Sequence, residues 1–319
     1  MASPARVSVI IPVYNTAGLL TEAISSVHRQ TVPGIELIVV DDGSDDGAEL
    51  ERVVAGAGPG IRLLRQPNRG VSAARNLGLR QSEGDFLVFL DSDDLLLPNY
   101  VARQLEFLTA HPDTAVAYCD AELFGEGAPP GVRFMDQCPS AGEVTFSSLV
   151  EQRCTVLTTV MARRAALEAV GGYDEALRSS EDFDLWLRMT KGGFRIGYQR
   201  ELLARHRIRP GSLASDRVWM YDHALAVLAK AREQLSLTPE ETEVVERRRE
   251  FFSDERTLAL TKRALEDGDL PGARRLFRQY RRRRPTLKNL AVDLLLQVSP
   301  GLLQRLRRRR PAPGSEPPG

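Results

Sequence analysis

Cysteine, aromatic residues and long apolar runs are all scarce in this sequence of 319 residues. The three cysteines, Cys119, Cys138 and Cys154, are odd in number and lack the spacing of metal ligands, so we expect reduced thiols. No apolar run is long enough to cross a bilayer. The N-terminus leads directly into a strand-like segment, without the apolar core of a secretory signal. These absences favour a soluble cytoplasmic protein.

A glycine-rich phosphate loop is also missing after the first predicted strand. Val7–Ile11 ends at the segment Pro12–Asn15. Dehydrogenases and nucleotidyltransferases carry glycines at this point, which let the backbone approach phosphate groups. The sequence therefore disfavours both of these nucleotide-binding classes.

The net charge of zero hides a strong asymmetry along the chain. Residues 274–310 contain thirteen Lys or Arg and a single acid, Asp293, whereas the preceding residues hold 30 basic and 41 acidic side chains. Asn289–Leu306 has apolar residues at helical spacing, flanked by Arg281–Arg284 and Arg307–Arg310. This layout is typical of a helix on an anionic membrane surface. A helix packed on its own domain and a basic arm for an acidic partner stay open, but no interleaved aromatic residue favours nucleic acid.

Three carboxylates crowd into four positions where an apolar strand ends. Phe86–Leu90 is followed by Asp91, Ser92, Asp93 and Asp94. Ligands of open α/β sheets bind beyond the carboxyl ends of strands, and like charges at such short range need a cation to join them. The natural occupant is Mg²⁺ or Mn²⁺ holding a phosphate. The alternative is a solvated turn in which an aspartate caps the next helix.

Two further apolar strands end in polar residues. Val7–Ile11 stops at Pro12–Asn15, and Glu36–Val40 stops at Asp41–Ser44, where Gly43 is expected to provide a turn with positive φ. About the first 120 residues alternate strand and helix, which predicts a parallel sheet covered by helices on both faces. If the strands are neighbours, their polar ends meet in one crevice.

Helices dominate the sequence after Ser212. Residues 122–139 are rich in Gly, Pro and polar side chains, which predicts a mobile loop over the site. Residues 311–319 are rich in Pro and Gly and predict a disordered tail. Four helices are predicted in between, over Val218–Gln234, Pro239–Phe252, Glu255–Leu265 and Pro271–Arg282.

Five segments, in this order and spacing, resemble the family 2 glycosyltransferases, which are inverting enzymes with a GT-A fold. They are VSVIIPVYN at 7–15, ELIVVDDGSDD at 36–46, NRGVSAARNLGL at 68–79, GDFLVFLDSDDLLLP at 84–98 and GGYDEALRSSEDFDLWLRM at 171–189. The resemblance implies an α/β, Rossmann-like and mostly parallel sheet flanked by helices over residues 1–212. It places a nucleotide-sugar part at about 1–120 and an acceptor part at about 121–212. The helical region 213–310 is then a C-terminal extension.

The resemblance implies a nucleotide site at the first two strand ends. Pro12 and Tyr14 would wall the nucleobase, and Asp41 and Asp42 would line it. Asp42 would accept a ring N–H, which both uracil and guanine offer. In the alternative reading Tyr14 packs under the next loop, and the two acids cap the helix that begins near Ser44.

Asp91 and Asp93 correspond to the DxD pair of the family. The resemblance implies that Asp93 ligates Mn²⁺ or Mg²⁺, that Asp91 contacts the ribose or the metal, and that Ser92 lies in the nucleotide site. Asp94 would support the loop. The cation would bridge both phosphates as a Lewis acid. Arg75 would reach the phosphates or brace Asp91, with an ordinary ion pair as the alternative.

Glu181 and Asp182 begin an amphipathic helix. By resemblance, this acidic pair is catalytic and Asp182 takes the proton of the acceptor, a role that the raised pKa of a buried carboxylate suits. In the alternative, both acids only satisfy the helix N-terminus. One position departs from the family, because Arg209 stands where a histidine often completes the metal shell. Arg209 instead offers its charge to the diphosphate, which would lessen the need for a metal.

Together these features predict an inverting glycosyltransferase that uses a nucleoside diphosphate sugar, with UDP as the first expectation. The acceptor would be a glycan or a lipid-linked sugar in cell-surface polysaccharide assembly, and no nucleic acid partner is expected. Membrane contact through 274–310 would place the protein at the inner face of the cell membrane. The alternative is a non-catalytic scaffold of the same fold that binds nucleotide-sugars. Arg209 favours that reading, and the intact DxD pair and Glu181–Asp182 oppose it.

Overall fold

The computed structural model of the protein describes residues 6–209 and 216–298. Three predictions lie outside the described residues. They are the domain boundary at Ser212, the part of the basic segment from 299 to 310, and the tail over 311–319. Within the described ranges, no helix has both the length and the apolar character that a bilayer span requires.

Eight strands of the described residues form one sheet, in the order β3-β2-β1-β4-β7-β6-β8-β5. They are β1 (Val7–Val13), β2 (Glu36–Asp41), β3 (Ile61–Arg65), β4 (Phe86–Phe89), β5 (Leu95–Leu96), β6 (Thr114–Gly125), β7 (Val160–Arg163) and β8 (Arg195–Ile208). β1 to β4 pair in parallel, as do β6 and β8, whereas β5 and β7 are antiparallel to their neighbours. The prediction of an α/β fold with a mostly parallel sheet is confirmed.

The helices of the described residues alternate with the strands in the first part of the chain and follow one another in the last part. They are α1 (Ala17–His28), α2 (Gly47–Gly56), α3 (Val71–Gln81), α4 (Tyr100–Ala110), α5 (Phe134–Gln137), α6 (Phe146–Val150), α7 (Arg164–Ala169), α8 (Glu181–Lys191), α9 (Arg217–Gln234), α10 (Pro239–Glu266), α11 (Leu270–Arg283) and α12 (Leu287–Val298). The two helices predicted over 239–265 are one helix, α10. The predicted break was wrong because residues 253–254 contain neither Gly nor Pro.

The central strands bring the polar ends of the sheet together. Every residue of β1 and of β4 is buried, which explains their continuous apolar sequences. Val13 pairs with Asp41 of β2, and Ile10 pairs with Phe89 of β4. The carboxyl ends of β1, β2 and β4 therefore lie side by side, and the residues that follow them share one edge of the sheet.

Helix α3 packs against β1 through small residues. Ala74 and Gly78 are buried, and a Cβ atom on Gly78 would stand 2.4 Å from Cγ2 of Ile10. Glycine is therefore required at position 78 for this approach. The close packing fixes the position of α3 relative to β1, and Arg75 on α3 lies near the carboxyl end of β4.

The longest strand pairing joins β6 to β8, from Thr114 with Arg195 to Gly125 with Ile208. The loop predicted from residue 122 therefore begins only after residue 125. Its first residues extend β6 because a partner strand about 80 residues later supplies their hydrogen bonds. The apolar run Thr155–Met161 predicts a strand from Thr155, whereas β7 begins at Val160.

The chain divides into two compact units whose sequences interleave. Of the described residues, 6–209 and 226–248 belong to the first unit, and 216–225 and 249–298 belong to the second. In the first unit, Lys230 lies 2.6 Å from a carboxylate oxygen of Asp174 and 2.6 Å from one of Asp184. Residues 226–248 therefore supply a cation to the first unit.

The second unit contains a small core between α10, α11 and α12. Leu265, Phe277 and Leu296 are buried together there. The sequence Asp267–Ala273 resembles a turn between paired helices, and it joins α10 to α11, where Asp269 accepts the backbone N–H of Gly272 at 2.9 Å as the cap of α11.

Candidate active site

The segments after β1 and β2 are joined by a reciprocal contact. The side-chain oxygen of Asn15 accepts the backbone N–H of Asp45 at 2.7 Å, and its Nδ2 donates to the Asp45 carboxylate at 3.2 Å. Tyr14 is 48% exposed beside this contact, whereas Pro12 is buried in β1. The Tyr14 ring is thus accessible to a ligand.

The carboxylate of Asp42 organises the loop after β3. It accepts three hydrogen bonds, from the side-chain amide of Gln66 at 2.7 Å, from the backbone N–H of Arg69 at 2.9 Å and from that of Gly70 at 2.8 Å. A carboxylate has about four acceptor positions, so one is left for a ligand. Asp42 therefore holds the loop and could contact a base only through that remaining position.

Asp41 and Gly43 complete the turn at the end of β2. Asp41 is buried and accepts the backbone N–H of Ser44 at 2.9 Å, while Nε of Arg65 lies 3.5 Å from its other oxygen. Gly43 has φ +76°, which confirms the predicted turn, and a Cβ atom there would stand 2.7 Å from the backbone nitrogen of Asn68.

Each of the three carboxylates that follow β4 has a basic partner. The contacts are Asp91 with Arg75 at 2.7 Å, Asp93 with Arg209 at 2.8 Å and Asp94 with His206 at 2.9 Å. Ser92 between them shares a 2.7 Å hydrogen bond with Thr16, which ties the loop after β1 to the loop after β4. The strand ends therefore meet as predicted, and protein cations join the crowded carboxylates.

Arg75 connects this acidic segment to the first turn of α8. One terminal nitrogen donates to Asp91 at 2.7 Å and the other to Glu181 at 2.6 Å. The side chain is only 3% exposed, and its guanidinium lies 5.1 Å from the centre of the Tyr173 ring. Although burial opposes the charge, the two carboxylates raise the pKa of Arg75 above its usual value. Arg75 thus pairs with Asp91, which fits both the predicted brace and an ordinary ion pair, and it pairs with Glu181 as well.

The turn at 171–174 is fixed to α3 by Asn76. The side chain of Asn76 donates to the carbonyl of Tyr173 at 2.8 Å and accepts the N–H of the same residue at 2.9 Å. Gly172 has φ +69°, and a Cβ atom there would lie 2.6 Å from Oδ1 of Asn76. This pairing keeps the Tyr173 ring against Arg75. The sequence placed Asn76 beside Arg75 in one motif, but did not indicate this role.

Asp182 differs from its neighbour Glu181 in its partners. It accepts the N–H of Phe183 at 2.7 Å and faces the hydroxyl of Thr158 at 3.4 Å. Among the residues that the structure describes, no Lys or Arg lies within ion-pair distance of it. Burial and the adjacent charge of Glu181 raise the pKa of Asp182 to about 6. A carboxylate with this pKa is ionised at neutral pH and is a stronger base than an exposed one.

Backbone strain precedes this pair. Ser180 has φ +58°, a left-handed conformation that is unfavourable for a residue with a side chain. Such residues cost about 1–3 kcal/mol and cluster at functional sites. The strain turns the chain into α8 so that Glu181 reaches Arg75.

The end of β8 is held to the acidic segment through Asp94. This carboxylate accepts the backbone N–H of Arg207 at 2.8 Å in addition to its contact with His206. Burial lowers the pKa of His206, but the hydrogen bond and charge of Asp94 outweigh it and raise the pKa to about 9. Asp94 therefore supports the loop, as predicted.

The acidic segment does not, as arranged, provide a ligand set for a divalent cation. Within residues 6–209 and 216–298, no three His, Cys, Asp or Glu side chains are grouped so that they could hold a metal ion. Asp91 and Asp93 are each engaged by an arginine. The divalent cation at Asp91 and Asp93 stays a prediction.

The sequence of this chain is similar to those of known glycosyltransferases. The model of glycosyl transferase family 2 matches residues 8–127. EpsE of Bacillus subtilis (strain 168), which is named as a glycosyltransferase, is 31% identical over 240 residues, or 73% of this chain and 84% of EpsE. The chain belongs to family 2 of the glycosyltransferases. An uncharacterized glycosyltransferase of Rickettsia conorii is 35% identical to this enzyme over 190 residues, and the chain spans only 31% of that longer protein.

Solved structures confirm the GT-A fold of the glycosyltransferase. TarS of S. aureus in complex with UDP-GlcNAc has a TM-score of 0.61 at 21% identity, covering 85% of this chain and 83% of the TarS chain. A mannosyltransferase of Pyrobaculum calidifontis in complex with GDP-Man and Mn²⁺ has a TM-score of 0.62 at 20% identity, covering 97% of this chain and 89% of the other. At these identities the likeness establishes the fold, while the ligands are those of the two neighbours.

Proposed function

We propose that this glycosyltransferase inverts the anomeric centre of a sugar that it moves from a UDP-linked donor to a glycan or lipid-linked acceptor in cell-surface polysaccharide assembly. One observation carries the proposal. The guanidinium of Arg75 contacts both Asp91 and Glu181. Asp91 lies at the strand ends that would bind the donor, and Glu181 is the neighbour of the base Asp182. The donor and acceptor sides are thereby kept at a fixed separation, which direct transfer requires.

Asp182 acts as the general base in this proposal. Its carboxylate takes the proton of an acceptor hydroxyl while that oxygen attacks the anomeric carbon and the bond to the diphosphate breaks. The sugar passes through an oxocarbenium-like state, and attack from the opposite side inverts the centre. Negative charge grows on the leaving diphosphate, so a fixed cation is needed beside Asp91 and Asp93.

The choice of UDP rests on the single acceptor position left on Asp42. Uracil and guanine each present a ring N–H, whereas neutral cytosine has no ring N–H to donate. The neighbours TarS and the mannosyltransferase bind UDP-GlcNAc and GDP-Man, respectively. Asp42 is already held by the loop at 66–70, and a pyrimidine needs less room beside that loop than a purine, which supports UDP over GDP.

Thermal unfolding with nucleoside diphosphates tests the donor class. We expect UDP to raise the melting temperature most, with GDP next and CDP without effect. A ligand at about 100 times its Kd adds about 2.7 kcal/mol to the free energy of unfolding. Asp42→Asn should remove the preference for UDP, while Asp113→Asn, an exposed acid that pairs with Arg195, serves as the control. A protein that UDP does not stabilise would contradict the donor assignment.

Release of UDP separates the enzyme from the scaffold alternative. A glycosyltransferase should slowly hydrolyse at least one UDP-sugar without acceptor, and a lipid-linked or glycan acceptor should speed the release of UDP. A protein that binds UDP-sugars tightly but releases no UDP with any acceptor would favour the scaffold.

We also propose that the second unit contacts an anionic membrane surface at the inner face of the membrane. On α12, Leu287 is 87% exposed, Leu290 51% and Leu294 62%, at the spacing of one helix face. On α11, the exposed Arg275, Arg278 and Arg282 have no ion pair among the described residues. Exposed leucines near unpaired arginines fit a lipid surface better than a fully packed helix.

Vesicle binding tests this contact. Replacing Arg275, Arg278 and Arg282 together by Gln should lower partitioning into vesicles with anionic lipid about 100-fold, because each basic residue near such a surface contributes about 1 kcal/mol. The matched control replaces Arg52, Arg80 and Arg178 in the first unit. Equal binding of the full protein to neutral and anionic vesicles would contradict the proposal.

A further inference from the structure

The end of β8 places a guanidinium beside the acidic segment at residues 91–94. Arg207 donates from Nε to the backbone carbonyl of Asp93 at 2.8 Å, and its own N–H is held by Asp94 at 2.8 Å. Arg209 lies two residues further on, with Nε 2.8 Å from a carboxylate oxygen of Asp93. The two hydrogen bonds of Arg207 therefore hold the backbone near Arg209 in place, so that the side chain of Arg209 is positioned beside Asp93.

The guanidinium of Arg209 keeps donors available for a second anion. Nε is the nitrogen of Arg209 nearest to Asp93, and the side chain is 42% exposed. The structure gives no other described residue as a partner of its terminal nitrogens. An arginine has five N–H donors in a planar fork, and it binds phosphate oxygens in pairs. One face of Arg209 can hold Asp93 while the terminal nitrogens meet the oxygens of a diphosphate.

Asp93 and Asp91 are neutralised without a metal. Arg209 pairs with Asp93 at 2.8 Å and Arg75 with Asp91 at 2.7 Å. A divalent ion that bound this oxygen of Asp93 would compete with Arg209 for it, at the cost of the ion pair. Arg209 thus occupies the place that a metal ion would take beside Asp93, and it supplies a positive charge there itself.

We propose that Arg209 takes the place of the divalent cation, holding Asp93 and the donor diphosphate together, so that the donor binds without a metal. This inference rests on the proposed function. It assigns the charge that the leaving diphosphate needs to a residue of the chain. Mn²⁺ is then neither required for donor binding nor bound by the free protein.

Affinity for UDP and GDP in EDTA is the first test. The wild-type protein should bind at least one of them equally well in EDTA and in Mn²⁺. Arg209→Gln should weaken that binding about 10- to 100-fold, the value of a hydrogen bond to a charged group. Arg205→Gln is the matched control, because Arg205 lies on the same strand and pairs with Glu122 at 2.8 Å. It should leave the affinity unchanged.

Direct binding of Mn²⁺ is the second test, and it does not depend on activity. Electron paramagnetic resonance should detect no bound Mn²⁺ in the free wild-type protein. Arg209→His, which removes the guanidinium and adds a metal ligand, should make UDP binding depend on Mn²⁺. Wild-type protein that binds UDP only with Mn²⁺ would overturn the inference and leave the proposed function intact. Failure to bind any nucleotide, with or without Mn²⁺, would overturn the proposed function itself.

Discussion

Asp182→Asn is expected to lower the rate of sugar transfer by about 10²- to 10⁴-fold and to leave the affinity for UDP unchanged. General base catalysis contributes a rate factor of about this size, and the amide of Asn, which has the same shape, cannot take the proton. Because the pKa of Asp182 is raised to about 6, kcat/KM of the wild-type enzyme should fall as the pH drops below about 6. Transfer kinetics with titrated UDP binding measure both effects, and a fully active variant would move the base elsewhere.

The same substitution should stabilise the protein at high pH. A raised pKa means that the folded state disfavours the ionised carboxylate, so the cost is fully present above pH 6 and disappears as the pH falls toward the unfolded value near 4. Asp182→Asn should therefore raise the melting temperature at pH 8 and change it little at pH 4. Glu181→Gln is the comparison, and it should destabilise instead because it weakens the pair with Arg75. An equal change at both pH values would contradict the raised pKa.

Arg75→Met is expected to destabilise the protein by about 3–5 kcal/mol, because it leaves Asp91 and Glu181 without their shared cation. Arg75 is 3% exposed, so water cannot replace it. Urea denaturation measures the loss. The control is Arg80→Met on the same helix, whose ion pair with Glu175 is long, at 3.7 Å, and exposed. That variant should change the free energy of unfolding by less than about 0.5 kcal/mol.

A double variant separates the two pairs of Arg75. Arg75→Met combined with Glu181→Gln should be more stable than Arg75→Met alone, because the second change removes one uncompensated charge. If the double variant shows the sum of the two single losses, Arg75 and Glu181 do not interact. That result would contradict the proposal that Arg75 links the donor side of the site to the acceptor side.

Local patterns in the sequence predicted the donor half of the fold and its polar edge. The spacing of apolar residues predicts a helix over 71–81, and α3 has those bounds. The strand ends at Asp41 and Asp91 meet as expected. Apolar runs bounded by Gly and polar residues fix such elements within a few residues of each position. The same patterns did not show that β6 continues past residue 122, because its hydrogen bonds come from β8.

The partners of the site residues could not be read from local patterns. Arg75 binds a carboxylate 16 residues away and another 106 residues away, and the sequence left its role open between phosphates, Asp91 and an ordinary ion pair. Lys230 was not singled out, because nothing near it in the chain indicates a buried carboxylate. Such ion pairs depend on which elements the fold brings together. A sequence motif can indicate one residue of the pair, but it does not indicate the distant partner.

The interleaved units limit where this protein can be shortened. A fragment that ends at residue 209 would keep every strand that the structure describes and every residue of the candidate site, yet it would lack Lys230. Asp184 is only 5% exposed and shares Lys230 with Asp174, and both acids adjoin the segments that carry Tyr173 and Asp182. Without that ammonium group Asp174 loses its cation and Asp184 keeps only its 2.7 Å pair with Arg188, which is destabilising. The shortest active fragment should therefore extend through residue 248, although the family resemblance ends near 212.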